Sequence, residues 1–377
     1  MVNEQINMSD PLDEATFPQP LYKWLQVAVQ RGAADLHLVT GYPPMLRLHG
    51  DLVPLEGADV LMAEVASRLL FAMCPAALRE RLLSAKNVDW SFELDLNGQL
   101  GRFRANLFFA AGNVGGCIRI VPTAIPQFEW AGVPKDLAER LAFQRDGLVI
   151  VTGATGSGKT TTLAMIVNLL NQAGGYRIIT VEEPVEYLLP VAENSVTTQR
   201  EVGTDVLTFS DGLKYGLRQD PDVILVGEIR DLETAQMVLS AAETGHLVFT
   251  TLHTRDAKGA ISRFADLFPH DAQRDIRYQL AASLRAIVAQ RLLPGLDRGE
   301  KRKLAMEVLW NTHPIANAIR TGKLETIDNY LVTNREDGQI SFDESIRQLW
   351  QAREISRETA ETNMREVSLL QRGSRDS

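Results

Sequence analysis

Residues 147–166 read GLVIVTGATGSGKTTTLAMI. An apolar run rich in valine and isoleucine stops at a glycine loop, and the loop opens into sequence with helical spacing. The loop, Gly153-Ala154-Thr155-Gly156-Ser157-Gly158-Lys159-Thr160, fits the pattern GxxxxGK[ST]. Glycines let backbone N–H groups turn toward phosphate oxygens, and the helix that follows adds the positive end of its dipole. Lys159 is expected to reach the β- and γ-phosphates of ATP and Thr160 to ligate Mg²⁺, while the loop through Thr161 cradles the phosphates. A strand, a phosphate loop and a helix in that order admit few folds, nearly all of them α/β.

The second half of the chain supplies the other strands. LVIVT, RIITVE, DVILVG and HLVFTTL are short runs of Val, Ile and Leu that suit a parallel sheet covered on both faces. Ligands bind such sheets at the carboxyl ends of the strands. In Asp222-Val-Ile-Leu-Val-Gly227-Glu228 the strand end, where many P-loop enzymes carry Asp, is Gly227. Glu228 is the candidate for organising Mg²⁺-bound water or polarising the attacking water, against a strand-end carboxylate in a surface ion pair. In Val181-Glu182-Glu183-Pro184-Val185-Glu186-Tyr187 at least one of three acids is expected to face the nucleotide. His253 closes the run Gly245-His246-Leu-Val-Phe-Thr-Thr-Leu-His253. It serves either as a sensor of the γ-phosphate or as a satisfied core imidazole.

The first half reads differently. Residues 21–31 have helical spacing, and ADLHLVTGYPPMLRLHGDLVPL alternates like strands, broken at Gly41-Tyr42-Pro43-Pro44 and His49-Gly50-Asp51. Residues 60–85 read as helical, and 88–121 as strands around a Gly112–Gly116 turn. These give a flexible leader over 1–20, an α+β domain over 21–121, a Pro-bearing linker over 122–135 and a P-loop core over 136–300. The pattern is helical after residue 270, with a C-terminal region over 301–368, EKRK at 300–303 in a solvated turn and a tail over 369–377.

Composition excludes several classes of function. A net charge of −9 argues against a broad nucleic-acid footprint. Cys74 and Cys117, with no CxxC pair, support neither a zinc ribbon nor a disulfide framework. No apolar run has membrane-spanning length, and the polar, acidic start is no secretory signal, so a cytoplasmic chain with only peripheral membrane contact is expected.

Taken together, ADLHL, GYPPMLRLHG, GRFRANLFF, IRIVP, GATGSGKTTTLA, VEEPVEY, QREVGTDVLTF, LRQDPDVILVGEIRDLETA and AAETGHLVFTTLHT resemble the secretion-superfamily ATPases, and among them the type IV pilus retraction ATPases (the PilT/PilU family). The resemblance spans residues 21–360. It implies an α/β chain: a RecA-like P-loop core with a parallel-rich sheet, a small PAS-like α+β domain before it and a helical region after it. It implies Glu186 as the functional carboxylate of the Asp box, Glu228 as the Walker B glutamate, and His246 and His253 as the His box, the first binding nucleotide and the second catalytic. It further implies that first-domain arginines reach a nucleotide held on a second-domain core: Arg102 in binding, Arg104 and Arg119 in catalysis. Without it these read as surface strand arginines. The implied protein is a Mg²⁺-dependent ATP hydrolase, a homo-hexamer at the cytoplasmic face of the inner membrane. It docks on a pilus platform protein, works beside paralogous pilus ATPases, contacts no nucleic acid directly, and powers pilus retraction and twitching motility.

Two departures are visible. Glu183 stands where the Asp box carries Asp, and Pro314-Ile-Ala316-Asn317-Ala318-Ile-Arg320 stands where the retraction ATPases carry AIRNLIR. The second leaves an accessory retraction paralogue or a non-hydrolysing regulatory subunit beside the main motor, with a motor of a related secretion or conjugation system as a further reading. Intact Lys159, Glu186, Glu228 and His253 oppose the non-hydrolysing reading, and two distant cysteines cannot build the four-cysteine zinc element of the extension and type II secretion branches.

Overall fold

The structure, a computed structural model, describes residues 17–370 apart from 49, 99, 123, 297–301, 335 and 336. Its contacts divide into two compact units, Met1–Ala124 and Ile125–Ser377. Most of the expected leader and tail, His49 of the second hairpin, and Glu300 and Lys301 of the EKRK turn lie outside the described residues. The described ends of leader and tail are packed: Phe17 stacks on Phe92 with ring centroids 5.8 Å apart, and Leu370 is buried.

The first unit runs α1 (Gln19–Gln30), β1 (Asp35–Leu38), β2 (Met45–Leu48), β3 (Asp51–Pro54), α2 (Ala63–Met73), α3 (Ala76–Ala85), β4 (Asn87–Asp95), β5 (Leu100–Ala110) and β6 (Asn113–Val121). Pro75 divides the expected 60–85 helix into α2 and α3. The strands form an antiparallel sheet in the order β3-β2-β1-β6-β5-β4. Strict alternation sends Phe103, Ala105 and Leu107 of β5 into the core and leaves Arg102, Arg104 and Asn106 on the other face. The Gly112–Gly116 turn is shorter than the sequence reading has it. Ala110 pairs with Asn113, and Gly115 and Gly116 lie inside β6. A Cβ on Gly115 would meet the Phe108 ring at 2.9 Å and one on Gly116 would meet Leu70 at 2.8 Å, so these glycines serve packing rather than a turn.

The second unit runs α4 (Phe128–Ala131), α5 (Lys135–Ala142), β7 (Gly147–Gly153), α6 (Lys159–Ala173), β8 (Arg177–Glu182), β9 (Val196–Glu201), α7 (Phe209–Gly216), β10 (Val223–Val226), α8 (Leu232–Glu243), β11 (Leu247–Leu252), α9 (Ala257–Asp266), α10 (Gln273–Ser283), β12 (Leu284–Leu293), β13 (Lys303–Trp310), α11 (His313–Thr321), α12 (Ile327–Thr333), α13 (Phe342–Gln351) and α14 (Arg357–Asn363). The sheet order is β13-β12-β7-β11-β10-β8-β9, with every neighbouring pair parallel except β12–β13. Alternate residues of β7 enter two cores: Leu148 and Ile150 pack under α8, α9 and α11, and Val149 and Val151 pack under α5 and α6. Within the expected linker, Ile125, Phe128 and Ala131 pack on the second of these cores, so α4 belongs with this unit.

Residues 284–310 correct the reading of 270 onward as helical. LRAIVAQRLL and KLAMEVLW are strands β12 and β13, and helices resume only at His313. Both faces of these strands are covered, so their apolar residues run on without the two-residue alternation that marks a half-buried strand. Ser283 joins α10 to β12 directly, with no Gly or Pro to mark the change. Among the described residues, no helix is long and apolar enough to cross a membrane.

Candidate active site

Strand β7 ends in Gly153, whose φ of +151° is one that L side chains rarely adopt. A Cβ there would lie 2.5 Å from the Gln290 carbonyl oxygen and 2.5 Å from Ser157 Oγ. Gly156 and Gly158 have φ of +77° and +88° and open space around them. The chain thus turns back over the strand end and enters α6 with no side-chain cap. The first N–H groups of a helix have no partner inside it. In α7, α8 and α9 the side chains of Thr208, Asp231 and Asp256 satisfy one of them; α6, entered from Gly158, has no such cap and shares this with several other helices of the chain.

Lys159 is buried, and its Nζ donates to the carbonyl oxygens of Gly153 at 3.0 Å and Ala154 at 3.1 Å. Burial pushes its pKa below the ordinary lysine value, while the charges of Glu228 and Glu186 pull it back up. Ser157 Oγ is buried with no hydrogen-bond partner in the structure. An open glycine cradle, an uncapped helix start, an unpartnered hydroxyl and a lysine resting on the loop's own carbonyls together fit an anionic phosphate. Mg²⁺ in such sites takes one or two protein oxygens, waters and substrate phosphates rather than a full protein cage. Thr160 and Glu228 could act as donors of that kind, and among the described residues no group of three or more His, Cys, Asp or Glu is placed to hold a metal ion by itself.

The three acids after β8 separate cleanly. Glu182 is buried, and its Oε1 accepts from Thr180 Oγ1 at 2.6 Å and Gln199 Nε2 at 3.3 Å, so it is a structural carboxylate. Glu183 accepts from Arg230 at 2.7 Å. Glu186 is the member whose charge falls on Lys159. Tyr187 reaches Thr161, hydroxyl to hydroxyl, at 3.0 Å and ties this acidic loop to the first turn of α6.

Glu228 follows the end of β10. Its Oε2 lies 3.1 Å from His253 Nε2, and its Oε1 is paired with the Arg230 guanidinium. Burial opposes the Arg230 charge, but Glu228 and then Glu183 outweigh it and hold the guanidinium pKa above its ordinary value. Gly227 sits close under β8. A Cβ there would lie 3.3 Å from Glu182 Cα and 3.4 Å from the Val181 carbonyl oxygen. Thr251 Oγ1 of β11 donates to the Gly227 carbonyl at the end of β10 at 2.6 Å, and the Thr254 N–H ties the exit of β11 to Thr152 Oγ1 of β7 at 2.9 Å.

The two histidines do not meet. His253 leaves the carboxyl end of β11, beside Glu228, whereas His246 precedes its amino end, roughly 20 Å away at strand rise. His246 Nδ1 lies 3.0 Å from the Ala241 carbonyl and 3.2 Å from Thr244 Oγ1, where it closes the end of α8. The expected nucleotide ligand His246 thus lies at the amino ends of the strands, whereas the phosphate loop and His253 lie at their carboxyl ends. Arg102, Arg104 and Arg119 lie on the first unit. Arg104 and Arg119 are direct cross-strand neighbours, held by Asp89 at 3.7 Å and Asp35 at 2.8 Å, and Arg102 approaches Glu93 at 3.9 Å. Like charges opposite one another on a sheet are destabilising. The acidic neighbours offset part of that cost.

Sequence reasoning missed three supporting residues. Arg230 stands two positions past Glu228 in GEIRD, where a cation beside a strand-end carboxylate is a visible signal. Gln290 is a lone amide in the apolar run LRAIVAQRLL. It is buried, pairs in register with Gly153 and donates to Thr162 Oγ1 at 2.7 Å, which seats the first turn of α6. Thr152 binds the Leu252 and Thr254 carbonyls, and nothing in its local sequence sets it apart.

A family model for type II/IV secretion system proteins matches residues 13–372. An uncharacterized protein of Escherichia coli, YggR, is 40% identical over 321 residues, 85% of this chain and 94% of the relative. The type IV pilus retraction ATPase PilT of Pseudomonas aeruginosa is 37% identical over 341 residues, covering 89% of this chain and 95% of the relative. Among solved structures, the pilus retraction motor PilT with bound ADP superposes with a TM-score of 0.82 at 38% identity, covering 93% of this chain and 99% of that one.

Proposed function

Because the chain belongs to the type II/IV secretion system protein family, we propose that it is an ATP-hydrolysing motor of the pilus-retraction branch, driving pilus disassembly and twitching motility. The observation that carries this reading is the meeting of a phosphate cradle with Lys159, Glu186, Glu228 and His253, in a chain similar over most of its length to a retraction motor.

ATP is the substrate. Bound Mg²⁺ would supply Lewis-acid polarisation of its phosphates, with Thr160 and, partly through water, Glu228 as the protein donors. The N–H groups of residues 153–161 bind phosphate oxygens, and Lys159 exchanges two carbonyl partners for phosphate. Glu228 orients the attacking water and receives its proton at a carboxylate oxygen. Each of its oxygens has a second lone pair beyond those given to Arg230 and His253. His253 keeps that carboxylate in one rotamer and faces the γ-phosphate position. Glu186 balances the Lys159 charge.

Arg104 and Arg119 complete the site by meeting charge that develops on the transferred phosphoryl group. The working unit is a homo-hexameric ring docked on an inner-membrane platform protein at the cytoplasmic face, and hydrolysis moves the first unit of one subunit against the second unit of its neighbour. A second reading, an accessory retraction motor, has one observation behind it: Ala316 and Ala318, where the motif AIRNLIR has Arg and Leu, are both buried in the core beside Ile315 and Ile319. Phosphate release by the purified chain tests the enzyme. Its size with a non-hydrolysable ATP analogue tests the ring, for which a species near six subunits is expected. A deletion strain tests the role: surface pili that no longer retract mark the main motor, and unchanged retraction marks the accessory one.

A further inference from the structure

The loop that carries His253 out of the sheet is gripped at every residue, and the grip reaches the C-terminal end of the described chain. His253 meets Glu228, and the Thr254 N–H donates to Thr152 Oγ1. The Arg255 carbonyl accepts from Arg291 of β12 at 3.5 Å, with that guanidinium stacked 4.0 Å over the Phe342 ring of α13. Asp256 Oδ2 accepts from Arg365 at 2.7 Å, while its Oδ1 caps α9 by accepting from the Gly259 N–H at 2.8 Å. The Ala257 N–H donates to the buried Glu307 carboxylate of β13 at 2.9 Å. Arg365 is itself built in. Its N–H and that of Glu366 donate to the two oxygens of Asp343, at 2.8 and 2.9 Å. Its guanidinium also reaches Asp328 at 3.4 Å, which accepts from Lys258 of α9 at 2.5 Å.

We propose that Arg365 is a positioning residue for hydrolysis: the C-terminal segment after α14 clamps Asp256, and through it holds His253 against Glu228. The inference rests on the active-site reading given above. A solvent-facing ion pair alone contributes little to stability, so a role confined to folding predicts almost no consequence of losing it. The clamp predicts a consequence in catalysis. Only two residues separate His253 from Asp256, and freedom at Asp256 becomes freedom at the imidazole. Groups that act through such a network shift a coupled function by about three- to thirtyfold.

The experiment measures ATP turnover and the affinity for a fluorescent ADP in the full-length protein. Arg365→Ala is expected to lower kcat by about three- to thirtyfold with nucleotide affinity unchanged within about twofold, and Arg365→Lys to recover most of the loss. Asp256→Asn keeps the cap on α9 but removes the ionic partner, and is expected to match Arg365→Ala in kcat while melting within a few degrees of wild type. The double variant Arg365→Ala/His253→Ala is expected to turn over as slowly as His253→Ala alone. Wild-type kcat in Arg365→Ala and Asp256→Asn beside an impaired His253→Ala overturns the clamp. So does a double variant whose loss is the product of the two single losses. Wild-type turnover in His253→Ala strikes the reading of the active site instead.

Discussion

His253 Nε2 and Glu228 Oε2 stand 3.1 Å apart, although 24 residues lie between them in the chain and each follows a different strand. Parallel pairing of β10 with β11 sets that distance, since Val226 lies in register with Thr250 and both chains leave the sheet at the same edge. The pair is a relay-like arrangement in which one group orients another that handles a proton.

Glu228→Gln preserves shape and removes the proton acceptor. It is expected to bind ATP with near-native affinity and to lose turnover by about a hundredfold or more. Single-turnover hydrolysis beside ATP-analogue titration checks this, and a wild-type rate in the variant refutes the role.

Lys159→Ala separates binding from folding. The ammonium is buried and held by two carbonyls, at a desolvation cost to its charged form. The variant is expected to melt within a few degrees of wild type without nucleotide, and to lose the rise in melting temperature that ATP analogue produces in wild type. An undiminished ATP-induced shift would show that the phosphates are held elsewhere.

Arg104 and Arg119 offer tests of unequal cleanness. Arg119 pairs at 2.8 Å with Asp35, which is only 8% exposed, so Arg119→Ala strips a buried carboxylate of a partner as well as removing a cation. Arg104 has a looser partner in the more exposed Asp89. Arg104→Ala is expected to cut kcat on the order of a thousandfold with a small change in melting temperature and nucleotide affinity. Unchanged turnover by an intact ring would return these arginines to the status of surface charges.

Glu307 supplies a pH dependence. Burial pushes its carboxyl above the ordinary glutamate value of 4.5, against the lowering effect of the Ala257 N–H bond. The raised folded-state pKa means that the native protein holds this proton more tightly than the unfolded chain. Its contribution to stability is therefore fully present below pH 4.5 and is lost as pH rises through the folded-state value. Glu307→Gln has no such proton to lose. Its urea midpoint is expected to gain on that of wild type as pH rises from about 4 toward neutrality. A constant difference across that range would contradict the shift.

The phosphate loop, the parallel strands that flank it and the strand-end positions of Glu228 and His253 were legible in the sequence because their signals are local, while the role of His253 came from the family resemblance. Each signal, a glycine spacing or an apolar run with the residue that ends it, fits within about ten positions. Tertiary structure alone decided the rest. It turned the Glu182 side chain back onto Thr180 and Gln199 and left Glu186, the acid the family resemblance implied, as the one whose charge reaches Lys159. Strand direction put His246 at the opposite edge of the sheet from His253, although the two share one short segment. Packing on both faces turned LRAIVAQRLL and KLAMEVLW into strands, which their composition does not signal. Arg230, Gln290 and Arg365 gained their roles from partners up to 128 residues away. Pairing at that separation depends on how the whole sheet and its covering helices assemble, which no short window of sequence records.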